Sequence, residues 1–335
     1  MISLKSNKIK ALAAGLMLTL ALGALGCGGG KKEGGAKAEK VNVGIVQLVE
    51  HEALDAANKG FIDGLASKGY KEGQNITFDK QNAQADQSNL QNIAHRFVNN
   101  KVDLICAIAT PAAQTVANVT SDIPIVATAV TDYKTAKLVK DDAKPGTNVT
   151  GTTDMNPVDE QLDLLLKLVP NAKTIGTIYC SSEVNSQLQV ELLKKAAAAK
   201  GITVKEATVS TVNDIQQAAR SLAGDVQAVY VPTDNVLASA IPTLISVTEE
   251  AKLPVICAEG GMVRAGGLAT LGVDYYKLGF QTGVMAADIL SGKAKPADMA
   301  IQAQKEFKPT INLKEAAKIG LKVPEDLLKG AEVIK

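Results

Sequence analysis

The sequence predicts an α/β protein built from two doubly wound parallel-sheet lobes. Three observations carry this prediction. From residue 41 onward short apolar runs alternate with amphipathic stretches, the order of a parallel sheet with helices on both faces. The alternation runs through twice with matching spacings. The 335 residues, 46% apolar and 21% charged, supply core for roughly two domains and show no sign of global disorder.

Residues 1–26 read as an export signal. Lys5, Lys8 and Lys10 precede an uncharged, mostly apolar run from Ala11 to Gly26. That run is short against the roughly 20 residues of a membrane span and suits a signal peptide. It ends in Ala24-Leu25-Gly26-Cys27, which resembles a bacterial lipobox with Ala24 where Leu is usual. Cys27 is expected to be lipidated, with ordinary secretion and a free thiol as the alternative. The glycine-rich residues that follow make 27–40 a flexible tether.

The body reads as follows. Val41–Gln47 is a strand, Ala53–Lys68 a helix closed by Gly69, and Ile76–Lys80 a strand. Asp86–Asn99 is a helix with Leu90, Ile93, Ala94 and Phe97 on one face. Val102–Ala109 is a buried strand, and Pro111–Val119 a helix with Pro at its first position. Ile123–Ala129 and Asn148–Gly151 are strands. The second series has strands at Thr174–Tyr179, Ile202–Thr208, Val226–Val231, Pro254–Cys257 and Leu268–Leu271. Its helices are Asn185–Lys200, Asp214–Leu222 and Val236–Ala251, the last kinked or broken at Pro242. Tyr276–Leu290 is a further helix. Thr310–Asn312 is extended, and Leu313–Ile319 and Glu325–Leu328 are short helices.

The two series share landmarks. Gly44 to Gly69 and Gly176 to Gly201 both span 25 residues. Asp103 and Asp225 open the third strands, and Ile123-Pro124 matches Leu253-Pro254. The expected lobes are 41–153 with 276–300, and 154–275 with 301–335. By analogy with two-lobed folds, the chain crosses between them several times, with hinges near 152–156 and 272–276.

Ligands of open parallel sheets sit beyond the C-terminal strand ends, so two facing lobes point both sets of ends at one cleft. The candidates are Glu50, His51, Thr110, Pro111, Ala112, Asp132, Tyr133, Ser182, Asn185, Asp234, Asn235, Glu259 and Asp274. The helix starts at Thr110 and at Ser182 with Asn185 offer free N–H groups and hydroxyls to a carboxylate or phosphate. The acids suit an ammonium group. Both together fit a zwitterionic amino acid. Each also has a plainer role: Thr, Ser and Asp at helix starts cap helices, and His51 is as readily a surface residue.

Other functions find little support. Formal charge is +1 and two histidines are present, which disfavours a nucleic-acid surface and a histidine-built metal site. No dinucleotide fingerprint, Walker loop or nucleophile elbow occurs, so neither a cofactor nor catalysis is expected. Cys106, Cys180 and Cys257 lie in or beside apolar runs and read as buried small hydrophobes. The three Asn-X-Thr sequences read as chance.

Several segments together carry a resemblance. They are Val43–Gln47 with Glu50–Asp55, Ala109–Gln114, Ala129–Asp132, Asn148–Gly151, Glu183 with Asn185-Ser186, Val231–Asn235 and Ile311–Lys314. From about residue 41 to 335 the chain resembles the substrate-binding proteins of ABC transporters of the tryptophan/tyrosine-uptake type, with a periplasmic-binding-protein type I fold. Tyr133 and Cys180 depart from that pattern, where Pro and Asn are common. The resemblance implies a monomeric, lipid-tethered receptor that closes over an aromatic amino acid and delivers it to a permease and its ATPase, in the periplasm or on the outer cell surface. The ligand carboxylate is then expected at Thr110–Ala112, helped by Ser182 and Asn185. The ammonium is expected at Asp234, with Asp132 and Glu259 as alternates. A ligand-sensing receptor on the same fold, a lipoprotein hydrolase and a structural surface lipoprotein are the competing readings.

Overall fold

The computed structural model describes residues 40–335. The expected leader, Cys27 and the tether up to residue 39 lie outside the described residues. No helix among the described residues is long and apolar enough to cross a membrane.

The first series folds as β1 (Val41–Gln47), α1 (Glu52–Ser67), β2 (Ile76–Asn82), α2 (Gln87–Asn99), β3 (Leu104–Ile108), α3 (Thr110–Val119), β4 (Ile125–Val130) and β5 (Val149–Thr153). After α4 (Val158–Leu168), the second runs β6 (Thr174–Cys180), α5 (Val184–Ala199), β7 (Thr203–Val209), α6 (Ile215–Ala223), β8 (Val229–Val231), α7 (Asn235–Ser239), α8 (Ile241–Glu250), β9 (Val255–Cys257), α9 (Gly260–Arg264) and β10 (Ala269–Gly272). The chain ends with α10 (Tyr275–Leu290), β11 (Gln302–Ala303), β12 (Lys308–Asn312), α11 (Leu313–Lys318) and β13 (Glu332–Ile334).

The strands form two sheets, ordered β11-β5-β4-β3-β1-β2 and β13-β12-β10-β9-β8-β6-β7. All neighbours are parallel except β10 and β12. Five strands of each sheet, β5-β4-β3-β1-β2 and β10-β9-β8-β6-β7, have the same winding, so the sequence repeat is a structural one. Gly69 and Gly201 both take positive φ, 93° and 68°, where a side chain is strained, and each follows the first helix of its series. Pro124 and Pro254 also correspond: their carbonyls accept from Ile105 N and Val229 N. The Asp103–Asp225 match is corrected. Register pairs Gly44 with Ile105 and Gly176 with Val229, which puts Gln227 opposite Asp103. Asp103 Oδ2 accepts from Asn42 N, and Gln227 Oε1 accepts from the equivalent Thr174 N. Two different residue types thus close the same strand end.

The centres of both sheets are apolar throughout, as parallel sheets covered on both faces require. Lobe 1 has one core running from Val43 and Phe61 through Phe97 to Ile108. Lobe 2 has a core on each face of its sheet, one around Leu244 and Ile178, the other around Leu162 and Leu193. The second of these contains α4, a helix absent from the sequence reading. Its apolar residues recur at 158, 162, 165 and 168. Its buried Gln161 donates to Ala258 O and Leu271 O and accepts from the Tyr230 hydroxyl at 2.7 Å, tying together strand ends beneath the cleft. Pro242 breaks the long expected helix into α7 and α8.

Helix α10 returns to lobe 1 and packs on α1 almost backbone to backbone. A Cβ added to Gly279 would lie 1.9 Å from Ala57 O, and one added to Gly64 2.2 Å from Phe280 O. Strand β11 then pairs with β5, so residues 302–303 belong to the first sheet. The crossings therefore follow β5, β10 and β11. The Gln304 side chain joins two of them: its Oε1 accepts from Asp274 N at 3.0 Å and its Nε2 donates to Asp274 O.

Candidate functional site

The strand ends of both lobes converge on a narrow cavity of about 20 Å³. Lobe 1 supplies His51 and Leu54 from α1, Ala129 and Thr131 from the end of β4, and Asp154 just past β5. Lobe 2 supplies Asn185, Thr233, Asp234, Asn235 and Ala238, with Glu259 and Met262 at α9. Tyr275 at the start of α10 completes the wall. A register shift between β4 and β5, with Ala129 at φ 54°, turns Thr131 into the cavity. A non-glycine residue in this conformation is strain concentrated at a site.

Among the described residues, three polar contacts join the lobes. His51 Nε2 lies 3.3 Å from Asn235 Oδ1, and the Thr131 and Thr233 hydroxyls are 3.1 Å apart. On the outer edge, Arg264 pairs with Glu52 across the lobes and with Glu332 within lobe 2.

The charge is one-sided. Asp154, Asp234 and Glu259 line the cavity, and among the described residues no Lys or Arg does. Asp154 is buried and accepts from two neutral hydroxyls, Thr131 at 2.9 Å and Tyr275 at 2.7 Å. Burial raises its carboxyl above the usual range. Burial also pushes Glu259 up to about 7, although it caps α9 through Gly261 N and Met262 N. Asp234 caps α7 through Leu237 N and also accepts from Cys180 N and the Ser186 hydroxyl. Beside it, Glu183 accepts from Asn235 N, Val236 N and the Asn185 and Asn235 side-chain amides. Burial first, and the Asp234 charge second, push Glu183 up to about 8. Such acids without a cation lower their free energy when a cationic ligand arrives.

The sequence candidates divide. His51, Asn185, Asp234, Asn235 and Glu259 line the cavity. Pro111 and Ser182 line a wider interlobe opening of about 440 Å³, along with Glu183. Thr110 is buried with its Oγ1 unpartnered, and it lines neither space. Ala112 is core. Glu50 is exposed and lines neither space. Asp132 accepts from Thr135 N at 2.7 Å and closes a turn. Asp274 caps α10 and lines an outer groove. Tyr133 is corrected outright. Its hydroxyl donates to Ala127 O and Thr152 O inside lobe 1, so its departure from the family pattern changes packing and does not face a ligand.

Two acids were absent from the cleft candidates, although Glu183 stands in a segment that carries the resemblance. Asp154 obeys the strand-end rule, applied to β5. Glu183 holds the place in lobe 2 that His51 holds in lobe 1, seven residues past the glycine of the first strand. His51 and Glu183 are both N-caps of the first helix of their series, neither caps it with its side chain, and both bond Asn235.

Comparison with known proteins places this arrangement. Residues 42–335 match the family model described as ABC transporter substrate binding protein. A tyrosine-binding protein of Clostridioides difficile is 50% identical over 253 residues, 76% of this chain and 73% of its own. A Streptococcus pneumonia domain solved in complex with L-Trp is 41% identical, with a TM-score of 0.85 over 89% of this chain and all of its own. The ligand-free, open structure of a Clostridium difficile substrate-binding protein with adhesive properties is 45% identical, over 88% of this chain and 99% of its own, yet its TM-score is 0.68. The fold superposes more closely on the Trp-bound structure than on the open one, although the open one is the more similar in sequence. With a two-lobed periplasmic-binding-protein type I fold and a cleft at the strand ends, the chain belongs to the family of ABC transporter substrate-binding proteins.

Proposed function

We propose that this protein captures an aromatic amino acid in the interlobe cleft and passes it to an ABC permease and its ATPase, without chemical change to the ligand. The observation that carries the reading is the acid-only lining of the cavity, which calls for an ammonium group. Asp154 and Glu259 are its acceptors, with Asn185 Oδ1, a buried acceptor without a partner. Asp234 lines the same wall, but its oxygens are already taken by three protein donors. The ligand carboxylate goes to the first turn of α3, whose Pro111 lines the wider interlobe opening and whose helix N-terminus favours an anion. The aromatic class rests on the likeness to the tyrosine-binding and Trp-bound relatives. Lipidation at Cys27 would hold the receptor at the membrane on the periplasmic or outer face, and the sequence there supports it.

Thermal unfolding against a panel of amino acids and other small solutes tests the reading. A ligand at a hundred times its dissociation constant adds about 2.7 kcal/mol, several degrees for a chain of this size. Stabilisation by Trp, Tyr or Phe is the expected result. Stabilisation by none of the three would end the aromatic assignment.

A further inference from the structure

His51 occupies a helix N-cap, where a short polar side chain ordinarily takes the first free N–H groups, yet its ring makes no capping bond. The ring instead meets Asn235 across the cleft. The Asn235 amide is oriented by Glu183: Asn235 Nδ2 donates to Glu183 Oε2, where Asn185 Nδ2 and Asn235 N also converge. Asn235 Oδ1 therefore faces His51, and His51 Nε2 carries the proton between them. Burial lowers the imidazole's proton affinity, so the ring is neutral. Its Nδ1 is then a lone-pair acceptor, buried in the cavity wall with no partner. An ammonium group would prefer the carboxylates of Asp154 and Glu259, because charge-assisted bonds are the stronger ones. The neutral ring nitrogen is left for a neutral donor.

We infer that His51 Nδ1 selects, among aromatic amino acids, those whose side chain carries an N–H or O–H donor, as indole and phenol do, over phenylalanine. The inference rests on the amino-acid reading above. A buried polar group left unpaired by the wrong ligand discriminates more strongly than a change in apolar bulk, so at least about a tenfold preference is expected.

The test is calorimetric binding of L-Trp, L-Tyr and L-Phe to the purified protein and two variants. Gln places an amide near the Nε2 position and Asn places one near Nδ1. His51→Gln therefore keeps the contact to Asn235 and loses the acceptor. His51→Asn does the reverse. The unmodified protein should bind Trp or Tyr at least about tenfold more tightly than Phe. His51→Gln should reduce that ratio to about twofold or less, while His51→Asn keeps it with all three ligands weakened. Equal affinities in the unmodified protein, an unchanged ratio in His51→Gln, or loss of the ratio in both variants would overturn the inference and leave the receptor reading standing. Binding of none of the three would overturn both.

Discussion

Replacing Gly279 by Ala sets two known effects against each other. In a helix interior the change gains about 0.8–1.0 kcal/mol of intrinsic propensity. Here the new Cβ would meet Ala57 O at 1.9 Å and Ala57 Cα at 2.8 Å. Backbone atoms cannot rotate aside, so α1 and α10 must separate by about 1 Å or more, and overpacking of that kind costs about 1–3 kcal/mol. The steric cost wins, and the net loss is up to about 2 kcal/mol. For a chain of this size each kcal/mol moves the midpoint by about 2–4 °C or less. Gly224→Ala is the control: an added Cβ there meets nothing within 4 Å and the backbone is right-handed helical, φ −86°. It should be neutral or stabilising. The assay is thermal unfolding of the three proteins without ligand. Equal midpoints for Gly279→Ala and the control would refute the close packing of α1 on α10. Because α1 begins beside His51 and α10 at Tyr275, the same variant should also bind ligand more weakly.

Other outcomes follow from the cleft. Asp154→Asn should weaken binding of an aromatic amino acid by tenfold or more, about 1.4 kcal/mol, with little loss of stability because a buried charge is removed; calorimetry and a melting curve check both. Arg264→Ala removes a half-exposed interlobe pair, worth about 0.2–1 kcal/mol. It should weaken every ligand by the same factor of about five or less, and a ligand-dependent effect would contradict that. Glu183, at about 8 in the fold against an ordinary 4.5, contributes stability that is complete below the ordinary value and lost as pH rises through the folded one. Glu259, at about 7, acts in the same direction. Melting temperature should therefore fall between pH 5 and pH 8.5, unlike a protein dominated by salt-bridged carboxylates. A bound ammonium lowers these raised values, so binding near pH 7 should release protons, read from the dependence of the binding heat on buffer ionisation enthalpy.

Where period and punctuation were strong, the sequence was legible. The alternation of apolar runs, Gly69 and Gly201 after the first helices, and Pro124 and Pro254 before the fourth strands identified two like lobes. Helix α4 escaped because it belongs to neither repeat, and Gln161 hides its buried face behind a polar letter. Strands β11 and β13 are two and three residues long and carry no periodicity; only long-range pairing creates them. In the cleft, the strand-end rule found His51, Asn185, Asp234, Asn235 and Glu259. It also returned Asp132 and Asp274, because a capping Asp and a ligand-facing Asp have the same local sequence. Tyr133 failed for a different reason. One residue past Asp132 the chain turns inward, and a phenol with two carbonyls to satisfy goes to the core.

Asp154 sits at the end of β5, on the first crossing between lobes, and its carboxylate is bonded to Tyr275 beside the second. Gln304 fastens that second crossing to the third. Any group that docks on Asp154 therefore pulls on the joints themselves. On the proposed receptor reading, occupancy would be converted into posture at its source, and a permease would need to feel only the outline of the molecule.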